Sequence, residues 1–447
     1  LLLAGMPRTN SMTACKRLLL FATKLGYQTR AFNAAAEKLG VELAFVTDRC
    51  NHLDDPWNDR AMGVHFENAE AAAYSVLQAQ RQLRVDGILA LGDRPGSTAA
   101  YVARGRGILH NHPASVEACR NKLRMREVLR DANLPVPVFH RVSLRPLPEP
   151  DFLGITYPCV LKPLSLSASQ GVMRADNREE FRAAAVRLKR LLESPEIQAG
   201  HEPELDHMLV ESYLPGWEVA VEGLLTEGVL RNLAIFDKPD PLEGPYFEET
   251  IYVTPSRLKA HEQRAIETTF LDSVRALGLT HGPVHAEFRL NNEAVWPIEL
   301  APRPIGGLCA RALRFLVPGA TEVMGLEELL LRHALHLPGA SAERETVASG
   351  VLMMPVPQSG ILDGVEGEED ARRVAGITSL EITARLRDYI AAWPEGSSYL
   401  GFLFARSEDP ASVEAALRQA HARLHFRLSP RLTVEHPLAG KGHSSRG

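Results

Sequence analysis

Residues 285–307 read HAEFRLNNEAVWPIELAPRPIGG, and the rest of the chain is arranged around them. Ala286, Phe288 and Leu290 alternate with polar neighbours, Asn291-Asn292 supplies turn chemistry, and residues 295–298 resume an apolar run, so the stretch reads as a hairpin. It carries two carboxylates, Glu287 and Glu299. A three-residue turn, 291–293, sets Leu290 opposite Ala294 and His285 opposite Glu299, with Glu287 diagonal on the same face within roughly 7–8 Å. A two-residue turn splits the two acids between faces. Carboxylates that close repel unless a cation lies between them, and a hard divalent ion bound to phosphate meets that need. Arg303 follows Glu299 by four residues and suits a forked grip on a carboxylate or phosphoryl group, while Gly306-Gly307 let backbone approach it. Two glutamates on a solvated hairpin are also commonplace, so the hairpin alone leaves a metal site and a plain polar surface both open.

The 447 residues are 45% apolar and 23% charged, an ordinary globular composition. That length suits roughly two to four domains. A net charge of −5 without a dense basic run argues against nonspecific nucleic-acid binding. Five cysteines, Cys15, Cys50, Cys119, Cys159 and Cys309, stand singly, without the spacing of a zinc knuckle or a disulfide framework, which fits a reducing cytoplasm. His110 and His112 lack nearby Cys or acid partners and read as loop residues. The opening LLLAG is too short for a signal segment or a membrane span, and without an initiator Met the true start is expected to be missing.

Residues 17–23 form a short apolar run suited to a buried parallel strand, 30–39 a helix ended by Gly40, and 41–47 a second strand. A strand at 64–66, an amphipathic helix over 67–83 and a strand at 87–91 repeat the alternation, which predicts a parallel α/β domain. No G-x-G-x-x-G turn is present, so nicotinamide binding is disfavoured. Gly92-Asp-Arg94-Pro-Gly96 follows a strand's carboxyl end, where open sheets place ligands, and reads either as the rim of a substrate site or as a Pro-Gly turn. Residues 112–129 read as one helix with Lys122 and Arg126 on one face. Lys162 ends an apolar strand, and a buried Lys needs an anionic partner. The hydroxyl-rich loop 165–171, with Ser169 and Gly171, suits phosphate, or serves as a plain linker. An amphipathic helix over 176–192 and a polar insertion over 193–207 follow. Then comes Glu211-Ser-Tyr-Leu214, opening the pattern E-x-x-L-P-G-x-E-x-x-V-E-G, whose second acid is Glu218. Lys238 follows the next strand, and Glu248-Glu249 reads as edge-strand charge. A long helix spans 256–277 and another 324–335. Residues 338–346 mark a boundary, beyond which strands at 350–354 and 399–404 and helices at 366–374 and 409–424 form an α+β module.

In this order the motifs resemble the ATP-grasp superfamily, with N-K-x-x-M-R at Lys122, the Lys162 strand and loop, the Glu211 hinge, and a final E-x-N-x-R segment that here is Glu299-Leu-Ala301-Pro-Arg303. The middle position, Asn in the family, is Ala301, and water replaces that ligand readily on magnesium. The last module, with Pro-Glu-Gly-Ser-Ser and Tyr-Leu-Gly-Phe-Leu-Phe-Ala, resembles the C-terminal domain of L-amino acid ligases. The resemblance implies an α/β N-terminal parallel-sheet domain (17–113), α+β ATP-grasp domains (114–338) and a small α+β C-terminal domain (348–428); the remaining tail (429–447) is expected to be disordered, as chain termini often are. It implies ATP and Mg2+ (or Mn2+) as cofactors, with Glu287 and Glu299 as metal ligands. Lys122, Lys162, Ser169, Gly171, Glu211, Leu214, Glu218 and Lys238 are its nucleotide contacts. Arg303, Lys162 and Glu249 are its catalytic groups, Arg303 on the acyl phosphate and Glu249 on the amine. The activity implied is a carboxylate–amine ligase that activates a small (amino) acid as acyl phosphate and forms an amide or dipeptide. A carboxylase-type ligase and a nucleotide-binding module without catalysis are the alternatives. Partners implied are small-molecule carboxylate and amine substrates, with neither nucleic acid nor membrane, and a homodimer is left open.

Overall fold

A computed structural model describes residues 15–23, 26–48, 61–147, 154–319 and 321–430. The LLLAG opening, Cys50 and residues 431–447 lie outside these. Four parallel strands stand in the order Ala61–Gly63, Glu42–Thr47, Arg17–Phe21, Gly87–Ala90. Leu18, Leu19, Leu20 and Phe21 are buried completely, as a strand covered on both faces requires. The short third strand precedes the expected 64–66. Val64 and Phe66 are apolar because they fill the core from the connecting loop, and Asn68 then caps the helix Ala69–Ala79 by accepting from Ala71 N at 3.0 Å. Residues 93–96 form the first turn of a helix rather than a Pro-Gly turn. Gly92, at φ 155°, turns the chain into the helix Asp93–Arg106, whose first turn tolerates Pro95 because no N–H is needed there. Strand order reverses between the first and fourth strands, so their carboxyl ends open the crevice in which Asp93 and Arg94 stand.

The helix expected over 112–129 is two helices, Pro113–Arg120 and Lys122–Asp131. Asn121 breaks it with an extended backbone, and its side chain caps the second helix at Arg124 N (3.1 Å). A four-stranded antiparallel sheet follows, in the order Phe139–Ser143, His207–Ser212, Cys159–Pro163, Met173–Ala175, with Arg178–Leu192 packed on it.

An eight-stranded sheet carries the rest of the fold, in the order Val295–Ala301, Gly282–Leu290, Trp217–Thr226, Val229–Asp237, Ile251–Thr254, Ala348–Met354, Gly401–Ser407, Ile377–Ile382. Its last three strands belong to the expected C-terminal module, so the boundary drawn at 338–346 does not separate two sheets. Glu343–Arg344, within that polar run, pairs with Arg314–Leu316 rather than serving as a linker. One buried cluster holds Leu20 and Phe45 of the first domain, Phe236 and Leu330 of the second, and Val351 and Phe402 of the last. Among the described residues no helix is long and apolar enough to cross a membrane.

Candidate functional site

The hairpin pairs Gly282–Leu290 with Val295–Ala301. Its loop takes four residues, not three, because the Asn291 side-chain oxygen accepts from Glu293 N (2.9 Å), Ala294 N (3.0 Å) and Trp296 Nε1 (3.1 Å), so Leu290 faces Val295. Continued unbroken, that register would set Glu287 opposite Ile298 and turn Glu299 to the other face. A bulge at Ile298 adds one more residue, so Glu287 lies directly opposite Glu299 rather than diagonal to it, and His285 faces Ala301. The bulge turns two successive carbonyls, Pro297 O and Ile298 O, onto the buried guanidinium of Arg126, at 3.0 and 2.9 Å. Arg126 Nε also donates to Glu211 Oε1 (2.6 Å), and Glu211 Oε2 holds Lys162 Nζ at 2.6 Å. Burial alone would raise the Glu211 carboxyl, but Arg126 and Lys162 outweigh it and hold it at about 2. Glu211 is thus the partner that Lys162 required, and its carboxylate is committed to placing that lysine.

Lys238 Nζ is buried against Glu218 (2.9 Å), Glu287 (3.2 Å) and Glu249. Burial opposes its charge, yet Glu218, Glu249 and Glu287 keep the ammonium well above the usual lysine range. One carboxylate oxygen from each of these three acids lies within 4.8 Å of the others. Burial, then the neighbouring Glu287, pushes Glu249 up to about 7, while Glu287, against its own burial, is drawn well down by Lys238 and His285. His285, which the sequence reading gave no role, is lifted against burial to about 9 by Glu222 and then Glu287. A half-buried all-oxygen set, offset by Lys238, His285 and Arg289, fits a hard divalent cation. Glu287 belongs to that set, whereas Glu299 stands opposite it on the facing strand and is not one of the three. Ala301 is buried and lines neither cavity described next.

Two cavities meet at the hairpin, one of about 610 Å3 and one of about 70 Å3. Ser169, Glu287 and Glu299 line both. The smaller is also lined by Lys122, Lys162, Glu211, Leu214 and Glu218. Lys122 is tied to the hydroxyl-rich loop, its Nζ donating to Leu166 O and its backbone N–H to Leu164 O (2.9 Å). Arg289 reaches into the same cavity and donates to Glu218 Oε2 (2.7 Å), Leu214 O (2.7 Å) and Leu242 O, with Tyr213 and Phe247 rings beside it. The Leu214 carbonyl and the Glu218 carboxylate therefore share one cation. Gly171 lines neither cavity. Its N–H donates to Pro394 O (2.8 Å), and at φ 75° a Cβ there would stand 2.9 Å from Leu188, so packing on the helix Arg178–Leu192 requires the glycine. Lys238 likewise lines neither cavity and lies beneath the acids as their countercharge.

The larger cavity contains Arg303, Asp93, Glu249, Tyr252, Tyr399 and Ser397 among its walls. Arg303 Nε and Nη2 donate to Asp93 at 2.7 and 3.4 Å, and Nη1 donates to Pro304 O. Burial disfavours the guanidinium charge, and Asp93 restores it. Asp93 was missed as a partner. Its position past a strand end was the available signal, but a pairing 210 residues apart leaves no local pattern. Of the adjacent acids, Glu249 reaches the cavity, whereas Glu248 accepts from Val356 N (3.2 Å).

Residues 155–312 match the ATP-grasp domain, and residues 352–429 match the L-amino acid ligase C-terminal domain 2. An L-amino acid ligase from Bacillus licheniformis superposes with a TM-score of 0.76 over 93% of this chain and 99% of its own, at 26% identity. The alanine–anticapsin ligase of Bacillus amyloliquefaciens is 25% identical over 60% of this chain and 57% of its own length. An ATP-grasp enzyme of Aspergillus fumigatus is 26% identical over 62% and 53%. The chain therefore spans somewhat more than half the length of these two relatives.

Proposed function

Because the chain is an ATP-grasp ligase that carries the C-terminal domain of the L-amino acid ligases, we propose that it activates a small (amino) acid with ATP and joins it to an amine, releasing ADP and phosphate. In the first step a carboxylate oxygen of the acid attacks the γ-phosphorus, and the bond to the bridging oxygen of ADP breaks. In the second, the amine nitrogen attacks the acyl carbon, phosphate leaves with the C–O electron pair, and the amine gives up a proton. Lys122, Lys162 and Ser169 face the triphosphate, the Leu214 hinge reads the base and Glu218 the ribose. Glu287 and Glu299 would hold Mg2+ or Mn2+, which would supply neutralisation of phosphoryl charge. Arg303 is oriented by Asp93, and with three of its five N–H donors engaged it aims the other two at the acid and the developing acyl phosphate. Glu249 receives the amine. No protein nucleophile is required, so catalysis is positioning and charge neutralisation.

The observation that carries this reading is the junction itself. Two cavities, one walled by cations and the other by Arg303 and Glu249, share the carboxylates Glu287 and Glu299. Incubation with ATP, Mg2+ and pooled L-amino acids, followed by phosphate assay and mass spectrometry, should reveal amide products with ADP. Nucleotide binding without turnover for any pool would reduce the chain to a binding module. We place the reaction in a reducing cytoplasm, because Cys119, Cys159 and Cys309 are buried as free thiols.

A further inference from the structure

The 165–171 loop is gripped by the C-terminal domain. Trp393 Nε1 donates to Ala168 O (3.1 Å), Gly171 N to Pro394 O (2.8 Å), and Gln170 Nε2 to Glu395 O (2.7 Å). The Glu395 carboxylate takes Arg187 in both forks, Nε at 2.5 Å and Nη2 at 2.8 Å. Arg187 rides on the helix Arg178–Leu192, whose Leu188 and Leu191 pack on Gly171, so helix and loop are held from the same segment. Within the loop Ala168 and Ser169 are left-handed, at φ 56° and 53°. Residues with a side chain hold that conformation only where their surroundings fix it, and Trp393 fixes the Ala168 carbonyl. Ser169 lines both cavities, and Ser397 and Tyr399 line the larger, Tyr399 with its ring 5.1 Å from that of Trp393.

We propose that residues 393–397 are a latch, with Trp393 and Glu395 as positioning residues that seat the 165–171 loop over both cavities and thereby set how tightly ATP use is coupled to amide formation. The coupling half rests on the ligase reading above. With the loop seated, the amine nitrogen forms the new bond to the acyl carbon as phosphate departs. With the loop lifted, water oxygen takes its place, the C–O bond to phosphate breaks, and the acid and phosphate are released with no amide made.

The test uses the full chain as wild type, Glu395→Arg, Arg187→Glu, the double reversal, and Trp393→Phe, which keeps most of the packing but removes the donor. Hydrogen exchange over 165–172 should quicken roughly three- to tenfold in each single variant and return to the wild-type rate in the double reversal. With ATP, Mg2+ and pooled L-amino acids, amide formed per phosphate released should fall in the singles and recover in the double. Unchanged loop exchange in all the singles overturns the latch. Quickened exchange with an unchanged amide-to-phosphate ratio overturns its role in coupling. Should the wild type make no amide, the ligase reading fails, and the exchange arm still decides the latch.

Discussion

Arg303 carries its own counterion, Asp93, and this shapes what a substitution there should do. Arg303→Lys keeps the charge and loses the fork, so turnover should drop about a hundredfold or more while nucleotide affinity changes little. Nucleotide titration paired with single-turnover phosphate release checks this, and equal rates would remove Arg303 from the reaction. Glu287→Gln changes volume barely but deletes the charge that faces Glu299 and Lys238. ATP turnover should vanish with the fold intact by circular dichroism, and wild-type turnover in Mg2+ would reject the hairpin as the metal site. Glu211 makes a stability prediction. Its folded carboxyl sits at about 2, below the ordinary 4.5, so its contribution is complete above pH 4.5 and is lost as pH falls towards 2. The wild-type urea midpoint should fall through that window. Glu211→Gln should be roughly 3–5 kcal/mol less stable at neutral pH, because Arg126 and Lys162 stay buried and unpaired, and its midpoint should vary less between pH 4.5 and 2.

The hairpin shows where an element can be read from sequence and where it cannot. Alternation and the Asn291-Asn292 turn announced two strands with both acids on one face, and that outcome holds. The route to it was hidden, because the longer loop and the bulge shift the register one step each and cancel in facing. The loop length follows from one side-chain oxygen, and the bulge from a guanidinium arriving from another helix, so neither is a property of the local periodicity. Asn121 was similarly opaque, since helical spacing continues through a residue that breaks the helix by capping its successor. The lysines and acids were legible as residue types in order, whereas their pairings, such as Arg126 with Glu211 at 85 residues' separation, come only from the fold. The bulge gives its own test. Arg126→Lys cannot reach Glu211, Pro297 O and Ile298 O together, so buried carbonyls lose their donor, at about 1–3 kcal/mol each. A lowered melting temperature should come with weaker Mg2+ dependence, because Glu299 lies next to the bulge. An unchanged melting temperature would show that the bulge stands without Arg126.

For the whole molecule, the decisive feature is that the C-terminal module completes a sheet begun more than a hundred residues earlier. Ala348–Met354 lies between Ile251–Thr254 and Gly401–Ser407, and its side chains share a core with the first two domains. Composition marked 338–346 as a boundary because Pro338-Gly339 and the polar residues after it look like a linker, and nothing local tells a linker from a strand paired far away. Ending the chain at residue 346 would strip Val351, Leu352, Met353, Phe402 and Phe404 from the interior, all of them buried. At about 1.5–3 kcal/mol for each such side chain the loss is about 8–15 kcal/mol, as large as the whole stability of a typical domain. It would also open Ile251–Thr254 as an apolar edge with unpaired backbone groups. Residues 1–346 should therefore aggregate on expression. The full chain should lose the eight-stranded sheet and its shared core in one calorimetric transition. A soluble, monodisperse 1–346 fragment with its own cooperative melt would show that the C-terminal strands are an addition to the fold and not part of its core.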